Sequence, residues 1–253
     1  MAVADDSGMM AAKKSDLALR TAAALVMILV AGAAIWAGGL VWQVFVVLVA
    51  LGVLWEWVRL VIAFKLKLPW QLLWFAGGLI YIGFAAKILI DLREQGLHTA
   101  LGVVMGVIAI DIGAYFAGRL IGGPKIAPRI SPSKTWAGLG GAILAICLLM
   151  TVLVTVDYVN AFGTWPWASG GGRYGMHAWL SHVGQGCLIG VVLAIVAQSG
   201  DFFESWMKRR ARVKDSGMLL PGHGGLFDRV DGLLAVLVLV GIRRLAAQYY
   251  GGA

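Results

Sequence analysis

Long apolar stretches alternate with short polar connections along most of this chain. A helix that crosses a membrane needs about 20 consecutive, mostly apolar residues. The pattern predicts seven such helices, at about 20–36, 40–62, 70–90, 99–119, 135–156, 178–199 and 226–245. We therefore expect an all-α, polytopic membrane protein with about seven transmembrane helices and short loops.

Polar segments divide the chain into three regions. Residues 1–19 are mixed and polar, and we interpret them as a flexible cytoplasmic tail. The next stretch fits an uncleaved first helix better than a signal peptide, because the apolar pattern continues into a second helix. Residues 20–98 are then the N-terminal transmembrane helices, and residues 99–253 are the C-terminal transmembrane catalytic region.

Composition and charge sharpen this picture. Only 13% of the 253 residues are charged, against roughly 25% in soluble domains, which argues against a soluble enzyme. Sixteen of the 21 Lys and Arg residues fall on one side if the N-terminus is inside, with Arg243 and Arg244 as a misfit on the other. This bias predicts a multi-pass cytoplasmic (inner) membrane protein with its N-terminus in the cytoplasm. The net charge of +8 then faces anionic lipid headgroups, and we expect no nucleic-acid partner.

Asp111 stands inside an otherwise apolar helix. A carboxylate at the centre of a membrane helix costs about 2.5–3.5 kcal/mol on insertion scales. One interpretation is a neutral or paired structural residue; the favoured one is a ligand for a metal or proton that faces a polar cavity. Gly113 and Gly118 on the same helix would let another helix approach closely.

The loop 121–138 contains three prolines that keep it extended, together with Ser133, Lys134 and Thr135. It lacks the glycine that a Walker A lysine requires. Ser131 or Ser133 as the N-cap of the next helix is the simpler interpretation. A phosphate clamp made of hydroxyl groups and a lysine at a helix N-terminus is the functional alternative.

The segment 198–231 concentrates acids, bases and glycines near the predicted cytoplasmic face. The acids are Asp201, Glu204, Asp215, Asp228 and Asp231, and the bases include Lys208, Arg209, Lys214 and Arg229. Paired carboxylates beside Lys and Arg suit Mg²⁺-dependent phosphoryl chemistry, in which the cation bridges phosphate oxygens and the bases neutralise developing charge. The glycine run around His223 allows main-chain N–H groups to approach an anion.

These residues resemble a known family, the phosphatidate cytidylyltransferases or CDP-diacylglycerol synthases. The matching elements are Ser205, Lys208-Arg209, Lys214-Asp215, Gly217, Pro221-Gly222-His223-Gly224-Gly225 and Asp228-Arg229-x-Asp231. The loop SPSKTWAG, the surroundings of Asp111 and Asp201, and Glu56-Trp57 also resemble the family. The family usually has Glu after the Trp of that loop, whereas this chain has Ala137.

The resemblance implies that CTP and phosphatidate are converted to CDP-diacylglycerol and pyrophosphate with Mg²⁺, a second cation being left open. It also implies a homodimer in the lipid bilayer, with the active site facing the cytoplasm. On this hypothesis Asp201, Asp228 and Asp231 hold the metal. The catalytic set is Asp111, Lys214, Asp215, His223 and Arg229. The substrate-binding set is Ser133, Lys134, Thr135, Ser205, Lys208, Arg209, Gly222, Gly224 and Gly225.

Two alternatives stay open from the sequence. A related transferase would use CTP or ATP on another lipid phosphate or a prenol. A cation or proton transporter would use Asp111 as a relay, but it predicts polar residues spread over several helices, whereas here they cluster at one face.

Overall fold

The computed structural model describes residues 6–166, 172–217, 219 and 224–250. Within these residues the chain forms seven α-helices and a two-stranded sheet, which confirms the predicted all-α class. The elements are α1 (Asp6–Ala37), α2 (Gly39–Ala63), α3 (Leu68–Gln95), α4 (Leu97–Leu120), β1 (Lys125–Ala127), β2 (Ser131–Thr135), α5 (Trp136–Phe162), α6 (Gly172–Ala211) and α7 (Phe227–Tyr250).

Each predicted helix coincides with an observed one, and the largest differences lie at polar ends. The first helix begins at Asp6 rather than near residue 20, and α6 continues to Ala211 rather than ending near residue 199. Residues 9–19 are rich in Ala, Lys, Met and Leu, which favour helix without making it apolar. Hydrophobicity therefore located the helices but not their ends.

Five of the described helices are long and apolar enough to cross a membrane: α2, α3, α4, α5 and the part of α6 from Gly175 to Ala211. The apolar part of α1, Thr21–Ala37, is shorter. Large apolar side chains such as Leu48, Trp55 and Ile80 lie exposed on these helices, as lipid-facing residues do. The count of seven crossing helices stays a prediction.

The chain divides into two compact units, one of Met1–Ala100 with Trp206–Ala253 and the other of Leu101–Ser205. In the first unit α3 packs against both α2 and α7. Gly78 leaves room for the indole ring of Trp57, whose Nε1 donates a 2.9 Å hydrogen bond to the carbonyl of Trp74.

Within this first unit α3 and α7 run in the same direction. Asp231, near the start of α7, interacts electrostatically with Tyr81, and Gly241 lies against the ring of Phe84. Farther along both helices, Arg244 donates a hydrogen bond to the side chain of Gln95. Arg244, a misfit in the predicted charge distribution, therefore has a partner at the end of α3.

In the second unit α4 and α5 approach closely through small residues. A Cβ atom on Gly113 would collide with the carbonyl of Gly141, and one on Gly141 would collide with Ala117. The close approach predicted for Gly113 is confirmed. Gly118 also lies near the start of α5, since a Cβ atom there would lie 3.2 Å from Oγ1 of Thr135, the residue before that helix.

The proline-rich segment before α5 differs from the extended loop that the sequence predicts. β1 and β2 pair antiparallel, with Lys125 opposite Thr135 and Ala127 opposite Ser131. A turn between them is closed by a 3.0 Å hydrogen bond from Ile130 N to the carbonyl of Ala127. Proline removes backbone donors but permits the extended conformation, so a short, irregular hairpin is compatible with this sequence.

Candidate functional site

The second unit brings together three of the predicted site residues. Lys134, on β2, forms an ion pair with Asp201 on α6. Asp111, on α4, interacts electrostatically with both of them. About a quarter of the side-chain surface of Lys134 and Asp201 is exposed, 23% and 26% respectively. Asp111 therefore has both a base and an acid as neighbours. These neighbours are compatible with a paired structural residue and with a member of a polar site.

Thr135, rather than Ser131 or Ser133, caps α5. Its backbone is extended, and its Oγ1 accepts a 3.0 Å hydrogen bond from Gly138 N. The hydroxyl groups of Ser131 and Ser133 lie 3.4 Å apart instead. The prediction of Ser131 or Ser133 as the N-cap was therefore wrong, because the strand continues through Thr135 before the helix begins.

Thr135 is buried, and its hydroxyl is used by the cap; Ser133 is exposed. The helix α6 continues past Asp201, so that Ser205 follows it one turn later on the same face. Ser205 is half-buried.

The first unit contains a second group of charged residues. Lys208 Nζ lies 2.5 Å from Asp228 Oδ1, and the two side chains are only 16% and 14% exposed. Lys208 is on the last turns of α6, and Asp228 is on the first turn of α7. An ion pair removed from water in this way interacts more strongly than one on the surface, because solvent screens it less.

The other carboxylate oxygen of Asp228 accepts hydrogen bonds from the segment before α7. Asp228 Oδ2 lies 3.0 Å from Ser216 N, 3.0 Å from Ser216 Oγ and 2.9 Å from Gly225 N. Gly225, the last residue of the glycine-rich run, donates its N–H to an anion. In the structure that anion is the carboxylate of Asp228 itself.

Sequence analysis missed the role of Glu56, which it noted only as part of a resemblance. Glu56 is 0% exposed on α2, and it accepts hydrogen bonds from Ser216 Oγ, Leu226 N and Phe227 N. The signal was present, since an acid within an apolar helix is the feature that singled out Asp111. Its donors lie 160 to 171 positions farther along the sequence, so only the fold identifies them.

The remaining predicted residues of the first unit differ in their exposure. Arg209, Lys214, Asp215 and Arg229 are exposed, whereas Gly225 is buried and Gly224 is half-buried. Gly224 has a φ of +80°, which favours glycine, and a Cβ atom there would lie 3.3 Å from Asp228 Oδ2. Two predicted site residues, Gly222 and His223, lie outside the described residues.

The carboxylates predicted as metal ligands each have another contact. Asp201 pairs with Lys134, Asp228 pairs with Lys208, and Asp231 Oδ1 accepts a 2.8 Å hydrogen bond from Gly232 N. Among the residues that the structure describes, no three Asp, Glu, His or Cys side chains are grouped so as to hold a metal ion. The three metal ligands therefore stay a prediction.

Known proteins provide an independent comparison. A model of the cytidylyltransferase family matches residues 65–244. A protein of Brucella suis biovar 1 named phosphatidate cytidylyltransferase is 43% identical over 171 residues, which are 66% of this chain and 55% of that protein. One of Staphylococcus saprophyticus with the same name is 38% identical over 162 residues, 64% of this chain and 55% of that protein. The chain thus spans about half the length of these relatives.

Proposed function

Because the chain belongs to the cytidylyltransferase family, we propose that it transfers the cytidylyl group of CTP to phosphatidate. The products are CDP-diacylglycerol and pyrophosphate. The names of the relatives support this choice of substrates. The structural observation that carries it is the Lys208–Asp228 pair, which lies in the segment that resembles the family signature and has exposed cationic residues close to it in the sequence.

In the proposed reaction a phosphate oxygen of phosphatidate attacks the α-phosphorus of CTP. The bond from the α-phosphorus to the bridging oxygen of the β-phosphate breaks, and pyrophosphate leaves with the electron pair. A phosphate monoester has a second pKa near 6, so the attacking oxygen is largely ionised at neutral pH. A strong general base is then unnecessary, and the protein mainly has to position the two anions and neutralise their charge.

Cationic groups of the first unit suit that task. In the first unit we assign phosphate binding to Lys208, Arg209 and Arg229, with Lys214 as a further contact. Asp228 fixes the ammonium group of Lys208, and a cation held in place in advance stabilises developing charge without reorganising. For the second unit, taken by itself, the ion pair with Asp201 supports the predicted phosphate contact of Lys134.

The proposal includes Mg²⁺ as an ion that is bound to the nucleotide. Among the described residues no three Asp, Glu, His or Cys side chains are grouped together, so we route no step of the reaction through a resident ion. Triphosphates are generally handled with Mg²⁺ bridging their oxygens. We therefore propose that Mg²⁺ arrives with CTP as part of the substrate.

The proposed location is the cytoplasmic membrane, with the N-terminus and the active site facing the cytoplasm, as a homodimer. One contact within the first unit supports the orientation. The guanidinium group of Arg210 lies 5.3 Å from the ring centroid of Phe64, so the basic end of α6 adjoins the α2–α3 connection with Lys65 and Lys67. Cationic residues from separate parts of the sequence thus gather at one end of the unit, as the positive-inside rule requires.

The test is an assay of the purified full chain in detergent with phosphatidate, Mg²⁺ and radiolabelled CTP. We expect a lipid-soluble CDP product and an equal amount of pyrophosphate. ATP in place of CTP, and a prenol or another lipid phosphate in place of phosphatidate, test the alternative transferases. Product from these substrates alone would contradict the proposal.

A matched pair of variants connects the activity to the site. Lys208→Ala removes the lysine that pairs with Asp228, whereas Lys87→Ala removes the lysine of an exposed ion pair with Asp91 on α3. We expect Lys208→Ala to lose roughly 100-fold in kcat/KM, the effect of removing one preorganised charge-stabilising group. Lys87→Ala should retain the activity of the unchanged protein, because exposed pairs contribute little.

A further inference from the structure

The buried carboxylate of Glu56 requires an explanation that the proposed reaction does not provide. Glu56 lies on a helix that is apolar enough to cross a membrane, and none of its surface is exposed. Moving a carboxylate from water into such surroundings is costly unless its oxygens receive hydrogen bonds. The identity of its donors therefore indicates what the residue does.

Three donors to Glu56 come from the chain between the end of α6 and the first residue of α7. Oε1 accepts a hydrogen bond of 2.9 Å from Leu226 N. Oε2 accepts two, of 2.8 Å from Phe227 N and 2.7 Å from Ser216 Oγ. One side chain on α2 thus binds both the segment that follows α6 and the first residues of α7.

Ser216 connects Glu56 to Asp228. Its hydroxyl group lies 2.7 Å from Glu56 Oε2 and 3.0 Å from Asp228 Oδ2, and its backbone N–H also donates to Asp228. Asp228 in turn holds Lys208 at 2.5 Å. A continuous series of hydrogen bonds therefore leads from a buried residue of α2 to the lysine assigned to phosphate binding.

Two glycines show how tightly the chain surrounds this carboxylate. A Cβ atom on Gly217 would collide with the carboxylate of Glu56, and one on Gly225 would collide with Ser216 Oγ and Glu56 Oε2. Both glycines are buried. These positions require glycine because the backbone passes close to an acid, which fixes where the backbone N–H groups of 225–227 point.

We infer that Glu56 is a positioning residue, which holds residues 216–217 and 225–227 so that Asp228 fixes the ammonium group of Lys208. Without its carboxylate, buried donors lose their acceptor, and the segment moves to satisfy them. Lys208 is then displaced, and a displacement of about 1 Å costs roughly 100-fold in rate. This inference rests on the proposed function for its kinetic readout only.

The kinetic test compares Glu56→Gln, Glu56→Ala and Ser216→Ala in the full chain. Glutamine keeps the shape but replaces one acceptor oxygen with a donor, so we expect a loss of about 10-fold in kcat, and about 100-fold for alanine. KM for CTP should change less than kcat, because the exposed cations remain. Glu94→Gln is the control: it makes the same change in a side chain that accepts an exposed hydrogen bond from Gln43.

Hydrogen exchange gives a readout that does not depend on activity. The amides of Leu226 and Phe227 should exchange at least about 10-fold faster in Glu56→Gln, while those of α3 should not change, because a lost local acceptor exposes only its own donors. This measurement also separates local release from general unfolding, which would accelerate exchange in α3 as well.

The outcomes distinguish the two proposals. If the unchanged protein makes no CDP-lipid from CTP, the proposed function fails, and the exchange of Leu226 and Phe227 alone decides the role of Glu56. If the unchanged protein is active and Glu56→Gln keeps its kcat and its exchange rates, the inference is overturned. A uniform loss of stability with kcat unchanged in the folded fraction would also overturn it, since Glu56 would then be structural only.

Discussion

Lys208 and Asp228 form an ion pair of 2.5 Å across two helices, although twenty residues separate them in the sequence. Both side chains are largely removed from solvent, and the same carboxylate accepts hydrogen bonds from the backbone N–H groups of Ser216 and Gly225. By contrast, Lys87 of the Lys87–Asp91 pair on α3 has 69% of its side chain exposed. The first pair therefore has the properties of a preorganised site, and the second has those of a solvated helix surface.

Asp228→Asn should reduce kcat/KM by roughly 100-fold, because Lys208 loses the negative charge that fixes it. The amide can still accept a hydrogen bond from Ser216 or Gly225, so the protein should remain folded. Steady-state kinetics with CTP and phosphatidate measure the effect, and Asp91→Asn is the matched control on the exposed pair. Full activity of Asp228→Asn in folded protein would show that the ion pair has no part in the reaction.

The N-cap of α5 gives a prediction about stability in the second unit. Thr135→Ala removes the oxygen that accepts from Gly138 N and should lower the free energy of unfolding by about 1 kcal/mol. Thr135→Ser keeps the oxygen and should cost much less. Unfolding of both variants in detergent measures the difference; equal stability of the serine and alanine variants would contradict the cap.

Two adjacent glycines of α5 test the close approach of α4. A Cβ atom on Gly141 would collide with Ala117 and with the backbone of Gly113, whereas one on Gly140 would meet nothing within 4 Å. Gly141→Ala should therefore lower the melting temperature. Gly140→Ala should leave it unchanged or raise it, since alanine favours helix over glycine by about 1 kcal/mol. A melting temperature equally lowered in both variants would mean that helix packing is not the cause.

The helices could be predicted because each contains an apolar stretch of about 20 residues, the length that a membrane-crossing helix requires. Their ends could not: α6 continues through Asp201 and Lys208, where helix propensity persists after the apolar pattern stops. The hairpin of β1 and β2 was also missed. Its strands, of three and five residues, are too short for periodicity to mark them, so only the antiparallel pairing shows it.

Which charged residues belong to the candidate site was easier to predict than which of them form ion pairs with each other. The sequence identified Asp201, Lys134, Lys208 and Asp228 from residue type and resemblance, but not which acid pairs with which base. Glu56 illustrates the reason, because its donors lie 160 to 171 residues away. Contacts over such separations depend on how helices pack, which local patterns do not encode.

The proposed orientation predicts which cysteine replacements an impermeant maleimide can reach in intact cells. Lys65, in the α2–α3 connection, should be on the cytoplasmic side, and Glu94, near the end of α3, should be on the other side. Glu94→Cys should therefore be labelled in intact cells, and Lys65→Cys only after permeabilisation. The unchanged chain is the control for its own Cys147 and Cys187, which are half-buried. The reverse labelling pattern would contradict the N-terminus-inside topology.

Removal of metal should affect catalysis without affecting the stability of the free protein. If Mg²⁺ binds as part of the nucleotide, EDTA abolishes product formation but does not change the melting temperature in the absence of CTP, because a ligand stabilises only the state that binds it. With CTP present, added Mg²⁺ should raise the melting temperature. Ca²⁺ in place of Mg²⁺ is the control, because it demands a different coordination geometry. If Mg²⁺ alone raised the melting temperature, the protein would contain a resident metal site, and the assignment of Mg²⁺ to the nucleotide would be wrong.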